Sequence, residues 1–115
     1  LLRSRDVLLM DEPLGALDEM TRSAMRYELL RVWALSNKTV VVVTHSIPEA
    51  VMLSDRVLVL SSRPGRIVDE LDIDLPRPRS EAMERSQTFL DYTYRIKEAL
   101  LGSTSPDKAA VEAHA

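Results

Sequence analysis

The sequence contains no cysteine, which excludes disulfide scaffolds, cysteine-based zinc sites and thiol catalysis. Glycine is scarce, with three among 115 residues, and none of the lysines (Lys38, Lys97 and Lys108) follows a glycine. A glycine-rich phosphate loop that ends in Gly-Lys-Ser or Gly-Lys-Thr is therefore absent. Aliphatic runs such as Val40–Val43 are far shorter than the roughly 20 apolar residues that span a bilayer.

The charge balance and the length narrow the class of protein further. Acidic residues outnumber basic ones, 18 against 15, and the net charge of −3 argues against a dedicated nucleic-acid binder. Apolar residues make up 45% of the chain, which is enough to form a core. A chain of this length is one domain or part of a larger one. Because it begins with Leu1 rather than Met, we expect a piece from the C-terminal side of a larger protein.

The first sixty residues alternate between short apolar runs and helical patterns. The predicted elements are a strand at Val7–Met10 buried on both faces, a helix from Glu19 to about Leu35, a buried strand at Thr39–Val43, a helix to about Leu53 and a strand at Val57–Leu60. Asp18 and Ser46 are placed to cap the two helices, and Ser46 and Glu49 have the spacing of a capping box. This order predicts an α/β fold with a parallel sheet and right-handed crossover helices.

The rest of the chain divides into a hairpin, a linker, a helix and a tail. Turn residues between two strand patterns predict a β-hairpin over Val57–Ile73. Pro76–Arg79 predicts an extended linker in which Arg77 and Arg79 are solvated charges. A helix is expected from Ser80 to about Leu101, and a disordered tail from there onward. The predicted units are thus residues 1–75, 76–101 and 102–115.

Polar side chains stand where two of the predicted strands end. Asp11 and Glu12 follow the first strand, and His45 follows the second. Ligands of parallel sheets bind beyond the carboxyl ends of the strands. There, one carboxylate can hold Mg²⁺, the other can polarise an attacking water, and the histidine can reach a phosphate. The same residues also suit a solvated turn and a structural histidine, and their spacing does not support a closed metal site.

Three motifs in this order resemble the ATP-binding-cassette (ABC) ATPases. Val7–Pro13 is similar to the Walker B motif, Leu14–Asp18 to the D-loop, and Val43–His45 to the segment that carries the switch histidine. The resemblance extends to about residue 100. Two further stretches, Arg63–Ile67 and Leu75–Arg79, are similar to the importer subfamily for nitrate, sulfonate, taurine and related solutes.

The resemblance implies a role for each motif residue. Asp11 would help hold Mg²⁺, directly or through water, Glu12 would be the catalytic base for the attacking water, and His45 would sense the γ-phosphate of ATP. Contact with a second ATPase subunit in a homodimer would fall to Gly15, Ala16, Leu17 and Asp18. The other implied partners are a membrane permease and, indirectly, an extracytoplasmic solute-binding protein, with no nucleic acid. The implied location is the cytoplasmic side of the membrane, as a peripheral protein.

Several parts of the family pattern are not in the sequence. The phosphate loop, glutamine loop and signature motif are missing, so the implied fold is a partial P-loop NTPase domain followed by a β-hairpin and a C-terminal helix. Without a phosphate loop we expect no ATP hydrolysis by this chain alone. The family's strand that feeds that loop lies between those matching Thr39–Val43 and Val57–Leu60. We therefore expect an open slot, and a chain that self-associates, rearranges or is partly ordered.

Two other hypotheses remain open on the sequence. One is a non-catalytic module that docks to an ATPase or a permease through the predicted helix Ser80–Leu101 and the tail. The other is an ABC-type ATPase of the DNA-repair or chromosome class, which shares the first two motifs. The Arg63–Ile67 stretch and the net charge of −3 argue against the second of these.

Overall fold

The computed structural model describes residues 6–36, 38–61 and 65–102, together with the backbone of residues 110–114. Its elements are, in chain order, β1 (Val7–Asp11), α1 (Glu19–Ala34), β2 (Thr39–Thr44), α2 (Ile47–Leu53), β3 (Arg56–Leu60), β4 (Ile67–Asp72), a 3₁₀ helix (Glu81–Arg85), α3 (Gln87–Leu101) and β5 (Ala110–His114). Among the described residues, no helix has the length and apolar character needed to cross a membrane.

The strands form one sheet in the order β1-β2-β5-β3-β4. β1 and β2 are parallel and are joined by the crossover helix α1, as predicted. β5 is antiparallel to both β2 and β3, so β2 and β3 run in the same direction on either side of it. β3 and β4 form the predicted antiparallel hairpin, with an irregular register beside Val59 and Leu60. The predicted α/β fold, with its parallel strands, hairpin and C-terminal helix, is confirmed.

The slot predicted between β2 and β3 is filled by β5, which comes from the C-terminal segment of the same chain. The expectation of a disordered tail is therefore wrong for Ala110–His114, while residues 103–109 and 115 lie outside the described residues. The register shows a physical reason. Val111 and Ala113 stand opposite fully buried positions of both neighbouring strands, namely Thr44, Val59, Val42 and Val57. A strand with this alternation can pair with two open edges at once.

One face of the sheet carries the core. Alternate residues of β2 and β3 are buried and pack with residues from all three α-helices. The cluster includes Leu30, Val40, Val42, Met52, Leu53, Val57, Val59, Leu71, Phe89 and Ile96. The expectation that β1 is buried on both faces is wrong, since Val7 and Leu9 are 66% and 67% exposed. Val7 and Leu9 are in register with Thr39 and Val41, on the face opposite to the core residues Val40 and Val42, and β1 also lies at the edge of the sheet.

Side-chain caps fix where the helices begin. Asp18 accepts a hydrogen bond from the Thr21 amide (2.8 Å) and starts α1, as predicted. The predicted helix from Ser80 onward is instead a short 3₁₀ helix followed by α3. Ser86 separates the two, because its hydroxyl accepts from the Phe89 amide (3.1 Å) and donates to the Met83 carbonyl (2.7 Å). That side chain caps a new helix instead of continuing the old one.

Candidate functional site

The candidate site lies where β1 and β2 end side by side. Asp11, the last residue of β1, is in register with Val43 on β2. The next amide, that of Glu12, donates to the Val43 carbonyl at 2.7 Å, which extends the pairing by one residue. Glu12 has a φ of +50°, in the left-handed region that non-glycine residues rarely adopt. The chain therefore turns sharply at Glu12, which is typical of residues that a fold holds for function.

Glu12 and His45 are brought together directly. One oxygen of the Glu12 carboxylate, Oε1, accepts from the His45 amide (2.7 Å) and lies 2.6 Å from the His45 ring nitrogen Nδ1. Both side chains face solvent, with 36% of Glu12 and 64% of His45 exposed. Because Nδ1 is engaged by the carboxylate, Nε2 is the ring nitrogen left to meet a ligand.

Asp11, the residue before Glu12, is exposed. Within the part of the chain that the structure describes, no three His, Asp or Glu side chains form a cluster that could hold a metal by themselves. A Mg²⁺ site does not require such a cluster, since this ion is commonly held by one or two carboxylates together with substrate phosphates and water. The single exposed carboxylate of Asp11 fits that pattern.

The segment Leu14–Leu17 folds back against Glu12. The Gly15 amide donates to the Glu12 carbonyl at 3.1 Å, and a Cβ added at Gly15 would lie 3.4 Å from Glu12 Oε2. Leu14 is buried, whereas Gly15 and Ala16 are exposed and Leu17 is half-buried. The exposed Asp18 follows, and hydrogen bonding from Thr21 holds the pKa of its carboxyl below the usual value.

Arg22 on α1 holds this segment in place, which the sequence did not predict. Its guanidinium donates to three carbonyls: Leu14 (3.2 Å), Gly15 (3.3 Å) and Leu17 (3.1 Å). Its Nε also lies 3.6 Å from Oε2 of Glu49, at the start of α2. Arg22 therefore links the segment after Glu12 to the helix that follows His45.

Glu49 is buried and is surrounded by positive charge. Arg26 NH2 lies 3.5 Å from Glu49 Oε2, and both side chains are only 3% exposed. Arg26 also donates to Glu84 (3.0 Å), which accepts from the Tyr27 hydroxyl as well. Burial raises the pKa of the Glu49 carboxyl, although Arg26 and then Arg22 act in the opposite direction.

The capping box predicted at α2 forms only in part. The Ser46 hydroxyl accepts from the Glu49 amide (3.4 Å), but the Ser46 amide donates to the Thr44 hydroxyl (3.0 Å) and not to Glu49. The Glu49 side chain faces Arg22 and Arg26 instead. One feature of the sequence could have predicted this ion pairing. Arg22 and Arg26 are four residues apart and so share one face of α1, and a helix packed on a sheet usually presents apolar residues on its inner face.

The expectation of solvated charges in the Pro76–Arg79 linker is wrong for Arg79. Its side chain is 1% exposed and makes six hydrogen bonds to backbone carbonyls. The accepting residues are Val51, Met52, Ser54, Ile73 and Leu75. Burial lowers the pKa of Arg79 to about 10, so the group stays charged at neutral pH. Arg77 is 38% exposed and pairs with Asp55 at 2.9 Å.

Known proteins share much of this sequence, although no family model matches it. An uncharacterized ABC transporter ATP-binding protein of Methanocaldococcus jannaschii is 50% identical over 95 residues, which are 83% of this chain and 34% of the relative. The aliphatic sulfonates import ATP-binding protein of Bacillus cereus is 46% identical over 87 residues, 76% of this chain and 35% of the relative. The taurine import ATP-binding protein of Rhizobium johnstonii is 42% identical over 110 residues, 91% of this chain and 42% of the relative. The chain spans about a third to two fifths of the length of these relatives.

Proposed function

The chain belongs, as a partial-length homologue, to the ATP-binding proteins of ABC transporters, and on this premise we propose that it carries the catalytic base of an importer ATPase. In this proposal the chain is part of a longer protein, here called the parent protein. The parent protein hydrolyses ATP to drive uptake of a small solute such as nitrate, a sulfonate or taurine. The observation that carries this proposal is the shared carboxylate oxygen: Glu12 Oε1 lies 2.7 Å from the amide and 2.6 Å from Nδ1 of His45.

In the proposed mechanism, Glu12 acts on the attacking water and His45 acts on the γ-phosphate. Glu12 Oε2 has no hydrogen bond to His45 and is the oxygen available to polarise an attacking water. The carboxylate fixes the imidazole ring through Nδ1, so that Nε2 faces the γ-phosphate. Because Nδ1 donates its proton to the carboxylate, Nε2 can donate to a phosphate oxygen only in the doubly protonated ring.

Asp11 would hold Mg²⁺, which screens the charge on the phosphate oxygens when it is bound. Its carboxylate comes one residue before Glu12 at the end of β1, and because successive side chains of a strand point to opposite faces, the two carboxylates can serve different purposes. The proposed homodimer contact consists of Gly15, Ala16, Leu17 and Asp18. Three of these four residues are exposed, and the segment is held from behind by Arg22.

The partners proposed for the parent protein are a second ATPase subunit, a membrane permease and, indirectly, an extracytoplasmic solute-binding protein. The parent would then act as a peripheral protein on the cytoplasmic side of the membrane. The 115-residue chain itself is proposed to be inactive, because its sequence has no phosphate loop to anchor ATP. The alternative is a non-catalytic module that docks to an ATPase or a permease.

The test starts from the coding DNA upstream of Leu1. An open frame containing Gly-x-x-x-x-Gly-Lys-Ser/Thr supports the proposal, and a start codon directly before Leu1 favours the docking module. The protein encoded by the whole frame should hydrolyse ATP with Mg²⁺. Glu12→Gln should lower kcat about 10²- to 10⁴-fold, the usual contribution of a general base. Glu98→Gln, at an exposed carboxylate on α3, is the matched control and should leave kcat unchanged.

Two results would contradict the proposal. Full activity in Glu12→Gln would remove the assigned base. Magnesium-dependent turnover by the 115-residue chain, abolished by Glu12→Gln, would show that the chain does not need the missing loop.

A further inference from the structure

We propose that Arg22 is a positioning residue that holds Glu12 and His45 in their mutual geometry, with Glu49 as its buried anchor. The inference rests on the proposed function in one respect, namely that Glu12 and His45 are the groups being positioned. Its evidence is independent of nucleotide, because it consists of contacts within the chain.

The contacts form a closed circuit around the site. Glu12 binds His45 through Oε1, and the segment after Glu12 packs against the same carboxylate at Gly15. Arg22 fastens that segment by its hydrogen bonds to the carbonyls of residues 14, 15 and 17. Arg22 then meets Glu49, which lies four residues after His45 in the first turn of α2. Glu12 and His45 are therefore connected twice, once directly and once through the Leu14–Leu17 segment, Arg22 and Glu49.

The anchor of this circuit is a charge that is buried and incompletely bonded. Glu49 Oε2 has no hydrogen-bond partner among the described residues, although Arg22 and Arg26 lie 3.6 and 3.5 Å from it. A buried carboxylate without a full set of hydrogen bonds costs free energy, so its presence calls for a reason beyond stability. An ionic tether between the Leu14–Leu17 segment and α2 is such a reason.

The planar fork of arginine is suited to this task, because it offers five N–H donors with fixed directions. Arg22 uses them on three carbonyls of one turn while remaining close to Glu49. A lysine could supply the charge near Glu49, but its compact ammonium group could not span the three carbonyls.

The experiment is amide hydrogen exchange by NMR on the 115-residue chain, with the His45 ring ¹⁵N signals as a second readout. In Arg22→Gln, exchange of the Gly15, Leu17 and His45 amides should accelerate about tenfold or more, as expected for the loss of hydrogen bonds to a charged group. The Nδ1 signal of His45 should move toward that of a free imidazole. Amides of β3 and β4 should keep their wild-type protection.

Three further variants test whether the effect of Arg22→Gln depends on Glu49 and on the arginine fork. Glu49→Gln should change the same signals in the same direction but less strongly. Arg22→Lys should not restore protection of Gly15 and Leu17. Arg31→Gln is the matched control, since Arg31 lies on the same helix and pairs with the exposed Glu28. It should leave every site signal unchanged.

The proposal is overturned by any of three results. Arg22→Gln could leave the Gly15, Leu17 and His45 amides unchanged. It could accelerate exchange equally throughout the sheet, which would indicate a purely structural role. Arg22→Lys could restore full protection, which would show that the fork is not required. None of these readouts involves ATP, so failure of the proposed function would leave them unaffected.

Discussion

The two ends of α2 each carry a buried charge, and the two charges are bonded very differently. At the C-terminal end, Arg79 makes six hydrogen bonds to backbone carbonyls, several of which belong to the last residues of the helix. At the N-terminal end, Glu49 faces two arginines, yet its Oε2 has no hydrogen bond in the described part of the chain. The fully bonded charge lies in the scaffold, and the incompletely bonded one lies beside the candidate site.

This difference reflects what each end has to do. A positive group at a helix C-terminus also interacts favourably with the helix dipole, so Arg79 gains from both its bonds and its position. Glu49 lies at the N-terminus, where a negative charge is favoured as well, but its side chain faces two arginines. One of them, Arg22, also holds the Leu14–Leu17 segment. We infer that the first end is built for stability and the second for geometry.

The largest expected effect is at the C-terminal end. Arg79→Met should lower the free energy of unfolding by about 3–5 kcal/mol, because it leaves buried carbonyls without donors. Urea unfolding followed by Trp33 fluorescence measures this loss. Arg77→Met is the matched control: its partner Asp55 is 63% exposed, and the loss should be about 1 kcal/mol or less. Equal losses in the two variants would remove the distinction between the buried and the exposed arginine.

A smaller effect is expected at the N-terminal cap. Ser46→Ala should cost about 1 kcal/mol, since it removes the acceptor for the Glu49 amide. Ser46→Asp should retain wild-type stability, because Asp caps helices as well as Ser. Both are measured by the same urea titration. A loss in Ser46→Ala as large as that in Arg79→Met would mean that the N-terminal end also supports the scaffold.

Local patterns in the sequence predicted where the strands lie better than they predicted how the strands pair. Apolar runs located β1, β2 and β3, and strand ends located Asp11, Glu12 and His45, because both are properties of neighbouring residues. The pairing of β5 depends on an open slot formed by strands fifty or more residues earlier in the chain. A short segment such as Ala110–His114 carries too little apolar character to predict that pairing by itself.

The arginine contacts were missed for a related reason. Arg79 lies in a Pro-Arg-Pro-Arg stretch, whose composition is typical of an exposed linker. Its burial follows from carbonyls at the end of α2, which no local pattern reveals. Arg22 and Glu49 are likewise 27 positions apart, and Glu49 also fitted a capping box, so the sequence offered a simpler interpretation. Long-range polar contacts are therefore the part of the site that sequence reasoning does not reach.

The smallest expected effect is a dependence on pH that only the N-terminal end should show. Burial raises the pKa of the Glu49 carboxyl above its ordinary value of 4.5, so the folded chain binds more protons than the unfolded chain between the two pKa values. The contribution of Glu49 to stability should therefore fall as pH rises through that interval and then stay constant. Arg79 remains charged over the same range and contributes no such change, because its pKa is about 10.

Urea unfolding of the wild type and of Glu49→Gln, measured from pH 4 to pH 8, isolates this contribution. The difference in unfolding free energy between the two proteins should shift in favour of Glu49→Gln as pH rises above about 4.5, the ordinary pKa of glutamate. Arg79→Met, compared with wild type over the same range, should show a constant difference. A pH-independent difference for Glu49→Gln would mean that Arg22 and Arg26 fully offset the burial of the carboxylate, and both ends of α2 would then be scaffold.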